Sequence, residues 1–331
     1  MPVAQPIKTL WLKASNSDDC KQAGEPFKAG QLAAVPTETV YGLAADATNP
    51  HAVAQIFSAK GRPSNHPLIV HIGSVDEIDD WATEVPTWVK PFVEQFWPGP
   101  LTLLLPRRSD VNDVVTGGLD TIGLRMPDNP TLLRLLQSER LAVAAPSANP
   151  YQKLSPTLAE QVIAGLDGRI AAVLDDGPCL VGTESTILRA EAQQAQILRF
   201  GPLDIETLQA KCPVPIKALE GHDIAVSGNK RIHYQPNARV KLLDSQTLSQ
   251  LAESAEPAQG VGGLYFSDKL QALFADQGVQ VSSEQHAYRQ RLYSALFELD
   301  QRGLQEIWVE LPPQRPGWED IHDRLSRAAA I

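Results

Sequence analysis

Cysteine is scarce: Cys20, Cys179 and Cys212 are the only three in 331 residues. An odd, dispersed set excludes a disulfide framework and a cysteine-rich zinc site, and it favours a reducing compartment. Positive charge is short as well. Lys and Arg number 29 against 39 Asp and Glu, a formal net charge of −10, which argues against attachment to nucleic acid through a broad basic surface. Long apolar runs are missing, and stretches such as residues 101–105 are far too short to span a bilayer. The start, MPVAQPIKTLWLKAS, lacks a basic segment followed by an apolar one, so no secretory leader is expected. Several familiar cradles are absent too. There is no GxxxxGK[ST], no GxGxxG after a strand, no HExxH, no CxxC and no GxSxG. His66 and His71, five apart, do not share a helix face and make a poor metal pair.

What is present is 43% hydrophobic residues, enough for a core without staples, and 26 prolines placed inside polar motifs. Prolines so placed predict rigid, specific loops. A length of 331 residues favours two domains. Up to about residue 210 short strands and helices interleave without strict alternation. Strands are expected at 31–35, 68–72, 101–105, 141–145, 170–174, 185–188 and 196–198. Asn49-Pro50 caps a helix over 52–59, another covers 131–137, and Ser155-Pro156-Thr157 is expected to open a third by the same logic. The fold class is α/β, a twisted mixed sheet with helices packed on it. From 211 to about 237 Pro and Gly punctuate a stretch read as a linker. Beyond it strands at 240–243, 260–265, 279–282 and 306–309 alternate with helices, notably 283–301, which predicts a smaller Rossmann-like domain with a parallel sheet over 238–331. Residues 224–243 contain no acid but hold Lys230, Arg231, Arg239 and Lys241. A cationic tether on an acidic protein reads either as a solvated connection or as a flap that meets an anion.

Five polar loops sit at strand ends. Pro36-Thr37-Glu38-Thr39-Val40-Tyr41-Gly42 places two hydroxyls and an acid after a strand, or is simply a tight turn. Lys60-Gly61-Arg62-Pro63-Ser64-Asn65-His66-Pro67 pins a point charge and a planar fork between two prolines, which suits polyphosphate or carboxylate. In Thr121-Ile122-Gly123-Leu124-Arg125 alternation puts Thr121, Gly123 and Arg125 on one face. That Arg either clamps a ligand carboxylate or pairs with a neighbouring acid. Ala145-Pro146-Ser147-Ala148-Asn149-Pro150 and Gly182-Thr183-Glu184-Ser185-Thr186 add small residues and hydroxyls. Together these make a hydroxyl-rich, cationic cleft with no nucleophile, suited to aligning anionic substrates.

In this order and spacing, PTETVYGL, KGRPSNHPLIVHI, FWPGPLTLLL, TIGLRMPDNP, APSANPYQKLSPT, GTESTIL and ILRFGPL resemble the YrdC-like family, in particular the threonylcarbamoyl-AMP synthases. Residues 292–300 and Asp323-Arg324-Leu325-Ser326-Arg327-Ala328-Ala329-Ala330 resemble the extra domain of the two-domain members. The resemblance implies a catalytic domain over 1–210, a linker over 211–237 folding over the active site, and the C-terminal domain over 238–331. It implies a nucleotidyltransferase in the cytoplasm that joins L-threonine, bicarbonate and ATP into threonylcarbamoyl-AMP and releases pyrophosphate. Downstream threonylcarbamoyl-transfer proteins would carry the group to tRNA, next to the anticodon, with tRNA met only indirectly or weakly and no membrane involved. Carried over by motif, Thr37, His71, Arg125, Ala145 and Ser185 surround threonine, with Arg125 on its carboxylate. Lys60, Ser64, Thr121, Ser147, Asn149, Ser155 and Arg199 hold ATP. Lys60 and Arg62 act at the phosphates, and Mg2+ comes with ATP without a dedicated protein site. The linker departs from the family's S-P-G-M-x-Y-x-H-Y-x-P pattern: Gly228, His233, Tyr234 and Pro236 survive, while Arg231 stands at the first Tyr position. His233 or Tyr234 is expected to touch the adenylate. A carbamoyltransferase-type YrdC domain and an RNA-binding module are the alternatives.

Overall fold

The computed structural model describes residues 8–219, 224–228, 230–254 and 260–331. By their contacts they form two compact units. One holds residues up to 151, 156–180 and 184–229; the other holds 152–155, 181–183 and 230–331.

Among the described residues the first unit contains eleven strands: β1 (Leu10–Lys13), β2 (Ala33–Val35), β3 (Gly42–Asp46), β4 (Ile69–His71), β5 (Leu101–Pro106), β6 (Thr121–Arg125), β7 (Val143–Ala144), β8 (Ala172–Asp175), β9 (Thr186–Ala190), β10 (Ala195–Arg199) and β11 (Ile216–Ala218). They form one sheet in the order β1-β8-β2-β3-β7-β4-β6-β5-β9-β10-β11. It is mixed, as expected: β4 and β6 run parallel, while β5 and β6 run antiparallel. Alternation sends neighbouring residues of one strand into different layers. Leu43 and Ala45 join the larger core with Ile56, Phe57, Val70 and Leu124, while Ala44 joins Val35, Leu132, Leu136 and Leu174. Buried on both faces, such strands read as apolar runs without period.

The polar loops hang from these strands. Helix Pro50–Lys60 starts as its sequence dictates, with Asn49 accepting from the His51 and Ala52 amides and Pro50 in the first turn. Gly61 ends it at φ 65°, so Lys60 is its last residue. The helix expected from Ser155-Pro156-Thr157 begins later, at Ala159, with no side-chain cap from Leu158. The Pro156 carbonyl instead accepts from the Tyr41 amide at 2.8 Å, and Gln161 reaches back to accept from the Thr157 amide at 2.7 Å. A cap-like triplet is thus diverted by a long-range partner. Strands β1 and β3 were not foreseen; β3 starts inside the PTETVYGL motif.

The stretch from 211 that reads as a linker begins with a strand. β11 pairs parallel with β10. Leu219, Ile224 and Val226 then pack on Leu104, Ile187 and Leu198. Residues 220–223 and 229 of that stretch lie outside the described residues.

The second unit has β12 (Arg239–Leu243), β13 (Val261–Tyr265), β14 (Gly278–Gln280) and β15 (Glu306–Glu310) in the order β12-β15-β13-β14, every pair parallel. Helices Ser245–Ser254, Gln285–Asp300 and Glu319–Ala328 alternate with them. Glu310, fully buried, accepts from the Phe266 and Ser267 amides at 2.8 and 2.9 Å and so ties down the turn after β13. Arg289 and Asp320 form a buried two-point ion pair at 2.7 and 3.1 Å, and the Thr183 hydroxyl donates to the same carboxylate at 2.8 Å. With three hydrogen bonds on the carboxylate, such a pair fixes geometry more than it adds net stability.

Candidate active site

The parallel register of β4 on β6 sets His71 opposite Arg125. Arg125 is 4% exposed, and its partners come from two loops. Nη2 lies 2.5 Å from Glu38 Oε1, Nη1 donates to Thr39 Oγ1 at 2.9 Å, and Nε donates to the Gly99 carbonyl at 3.3 Å. Glu38 Oε2 accepts from the Asp128 amide at 3.0 Å. Thr39 Oγ1 is 2.8 Å from Thr37 Oγ1, which also accepts from the Thr39 and Val40 amides. Thr37, His71 and Arg125 therefore belong to one buried polar cluster. Arg125 is not a bare clamp; the salt bridge to a neighbouring acid is what the structure contains. Three of its five N–H groups are engaged, and two remain.

His71 is buried, and its Nδ1 has no hydrogen-bond partner among the described residues. Burial, then the charge of Arg125, hold its pKa down at about 3. The imidazole is neutral at pH 7; a backbone contact with Ile69 works weakly against the shift, and Nδ1 itself makes no hydrogen bond of good geometry. A buried polar group in that state calls for an explanation, and a ligand supplies one.

Next along the sheet, β5 and β9 bring Thr102 and Ser185 together, their hydroxyls 2.7 Å apart. Arg199, on β10, donates from Nε and Nη2 to the Ser185 carbonyl and from Nη2 to the Ser185 hydroxyl at 3.0 Å. Thr121 opens β6, on the same face as Gly123 and Arg125.

Lys60 is 4% exposed. Its ammonium donates to the Ser147 carbonyl and, at 2.6 Å, to the Asn149 carbonyl. No carboxylate pairs with it among the described residues. Burial, followed by the nearby Arg62 charge, pushes its pKa well below the ordinary lysine value. Ala145 is tied to β4 through its amide, which donates to the Ile69 carbonyl at 3.0 Å. Arg62 Nη2 donates to the Pro67 carbonyl at 3.0 Å. Ser64 is exposed on the same loop. The Ser227 hydroxyl donates to that Pro67 carbonyl at 2.8 Å, while its own carbonyl accepts from Arg199 Nη1 at 2.8 Å. One peptide after β11 thus joins the Arg62 loop to Arg199.

Within the first unit the structure brings together Thr37, His71 and Arg125, then Ser185 and Arg199, then Lys60, Arg62, Ser147 and Asn149. Ser155, His233 and Tyr234 belong to the second unit. Tyr234 is enclosed there, with Tyr293 5.5 Å away and the Arg324 guanidinium 5.3 Å over its ring. Sequence reasoning gave no role to Glu38, Thr39, Thr102 or Ser227. Glu38, Thr39 and Thr102 stand inside quoted motifs, so their residue types were a signal; Ser227 had none. Among the described residues no three His, Cys, Asp or Glu side chains are placed to hold a metal ion. A floor of neutral hydroxyls, buried cations and an internally paired acid suits an anionic substrate that brings its own counter-ion.

Such a site on such a sheet suits an α/β enzyme that aligns anionic substrates. Comparison with known proteins makes this specific. A family model described as "Telomere recombination" (Sua5_yciO_yrdC) matches residues 25–201, and one described as "Threonylcarbamoyl-AMP synthase, C-terminal domain" matches 193–330. The threonylcarbamoyl-AMP synthase of Bacillus subtilis is 36% identical over 327 residues, 96% of this chain and 94% of that protein. That of Pyrococcus abyssi is 33% identical over 319 residues, 92% of each. The crystal structure of the P. abyssi Sua5 protein complexed with L-threonine superposes with a TM-score of 0.87, at 31% identity and 97% coverage of both chains. The chain belongs to the two-domain threonylcarbamoyl-AMP synthase family, and it is a transferase that makes an AMP-linked intermediate.

Proposed function

We propose that this chain synthesises L-threonylcarbamoyl-AMP from L-threonine, bicarbonate and ATP. The deprotonated threonine amine bonds to the carbon of bicarbonate as a C–O bond breaks and water leaves, giving a carbamate. A carbamate oxygen then bonds to the α-phosphorus of ATP as the bond to pyrophosphate breaks. Nothing in this sequence requires an enzyme nucleophile, and the barrier is lowered by alignment and by neutralising charge on the phosphates.

The observation that carries the reading is Lys60: a buried ammonium, with two backbone carbonyls and no acid, beside the Arg62 loop. A polyphosphate supplies the missing negative charge. Arg62 and Arg199, with Ser64, Thr121, Ser147 and Asn149, take the rest of ATP. Arg125 offers its two remaining N–H groups to the threonine carboxylate, with Thr37, His71, Ala145 and Ser185 around it. Mg2+ arrives on the triphosphate as part of the substrate, which suits a site rich in cations and poor in free acids. The product is a mixed anhydride, to be consumed by proteins that pass the threonylcarbamoyl group to tRNA, so the cytoplasm is the matching compartment. Among the described residues no helix is long and apolar enough to cross a membrane.

The test is pyrophosphate release by the full chain with ATP and Mg2+. The reading expects release that needs both L-threonine and bicarbonate, and a threonylcarbamoyl-adenylate mass among the products. Release indifferent to threonine would overturn it in favour of carbamoyl chemistry on another acceptor.

A further inference from the structure

We infer that Glu38 is a specificity-determining residue that makes the pocket select a zwitterionic amino acid over a simple carboxylic acid; this rests on the threonine reading above. Glu38 is 5% exposed and pairs with Arg125 at 2.5 Å. Its second oxygen accepts from the Asp128 amide. Each carboxylate oxygen can accept twice, so two acceptor positions remain on Glu38, just as two N–H groups remain on Arg125. The buried pair is neutral as a whole and presents an acceptor and a donor side by side.

An unpaired buried guanidinium would bind any carboxylate. Paired with Glu38, it meets a ligand that carries only negative charge with attraction from one side and repulsion from the other. An α-amino acid carries both signs on one carbon. Its carboxylate faces the remaining Arg125 donors and its ammonium faces the remaining Glu38 acceptors, giving four alternating charges in a site that excludes most water. One other acid is near the pair: the carboxylate of the exposed Asp128 feels the charges of both Glu38 and Arg125, so Asp128→Asn is the control that should leave the preference for an amine-bearing ligand in place. Thr37 and Thr39 are neutral hydroxyls engaged with each other, and His71 is a neutral imidazole. Glu38 is the buried acid of the two, and replacing it with an isosteric amide removes the negative charge while leaving an acceptor for Arg125.

The experiment is calorimetric titration of the full chain and of its Glu38→Gln variant with L-threonine and with (R)-3-hydroxybutyrate, which lacks the amine. The wild-type chain should prefer L-threonine by at least about tenfold. In Glu38→Gln, L-threonine affinity should fall roughly 10- to 150-fold, the range for losing one hydrogen bond to a charged group. Affinity for (R)-3-hydroxybutyrate should hold or rise, so the preference collapses. A structural brace for Arg125 would weaken both ligands in parallel, and that result overturns the inference. Equal wild-type affinity for the two ligands overturns it without any variant, while the threonine reading stands. No wild-type binding of L-threonine would sink the threonine reading itself, and the inference with it.

Discussion

Lys60 gives the sharpest test of the phosphate side of the site. Its ammonium has three N–H groups. Two are held by the Ser147 and Asn149 carbonyls, which aim the third. If that third donor meets a phosphate oxygen, Lys60→Met removes one hydrogen bond to a charged group, worth about 1.5–3 kcal/mol. The ATP KM, read from pyrophosphate release, should rise roughly 10- to 150-fold. The threonine KM should move little, because Arg125 and His71 sit on strands β6 and β4, while Lys60 ends a helix. A second readout does not depend on turnover. The folded pKa of Lys60 is depressed by burial and by Arg62, so between that value and the usual lysine value near 10.4 the unfolded chain holds more protons. Without ATP, stability should therefore rise with pH across that window, and Lys60→Met should flatten the slope. A bound polyphosphate should flatten it too, by restoring the charged form. An unchanged ATP KM together with an unchanged slope would refute the argument.

Some of this site was legible in the sequence and some could not be. Asn49-Pro50 starts the helix expected over 52–59, and the structure carries it on to Lys60, where Gly61 ends it. Strand alternation places Arg125 on the face of Thr121 and Gly123. Both inferences use spacings shorter than a dozen residues. What remained hidden is long-range. Glu38 meets Arg125 across 87 positions, and Ser227 meets Pro67 across 160. No local pattern states which acid a guanidinium will choose, so a free clamp and an ion pair were equally consistent with Thr-Ile-Gly-Leu-Arg. The start of the helix after Pro156 failed for the same reason. Ser-Pro-Thr has the residues of a cap, yet its backbone is claimed by Tyr41 from another loop. The linker misled in the opposite direction. Its prolines and glycines suggested no structure, while Ile216 is buried and Leu219, Ile224 and Val226 are partly buried on the sheet as isolated apolar residues that no period reveals.

Two further predictions follow from the same geometry. His71 titrates at about 3 in the fold against about 6.5 unfolded. Its folded value is lowered, so the unfolded chain binds more protons between those pH values. Stability should rise with pH through that window, by at most about 1.4 kcal/mol per pH unit. His71→Leu should flatten the urea midpoint measured from pH 4 to 6.5, and an unaltered slope would place the titration elsewhere. Gly117 tests how the Arg62 loop is held. It lies at φ 64°, and a Cβ there would sit 2.7 Å from the Asn65 carbonyl oxygen and 2.8 Å from its carbon. The Leu68 amide donates to the Val115 carbonyl at 2.9 Å, so the end of the loop is laid directly on this turn. Gly117→Ala adds left-handed strain of about 1–3 kcal/mol and must push residues 65–66 away. Since the loop also carries Lys60, Arg62 and Ser64, the ATP KM should climb while L-threonine binding stays near wild type. A variant that loses thermal stability yet keeps its ATP KM would show that the loop's position does not govern nucleotide binding.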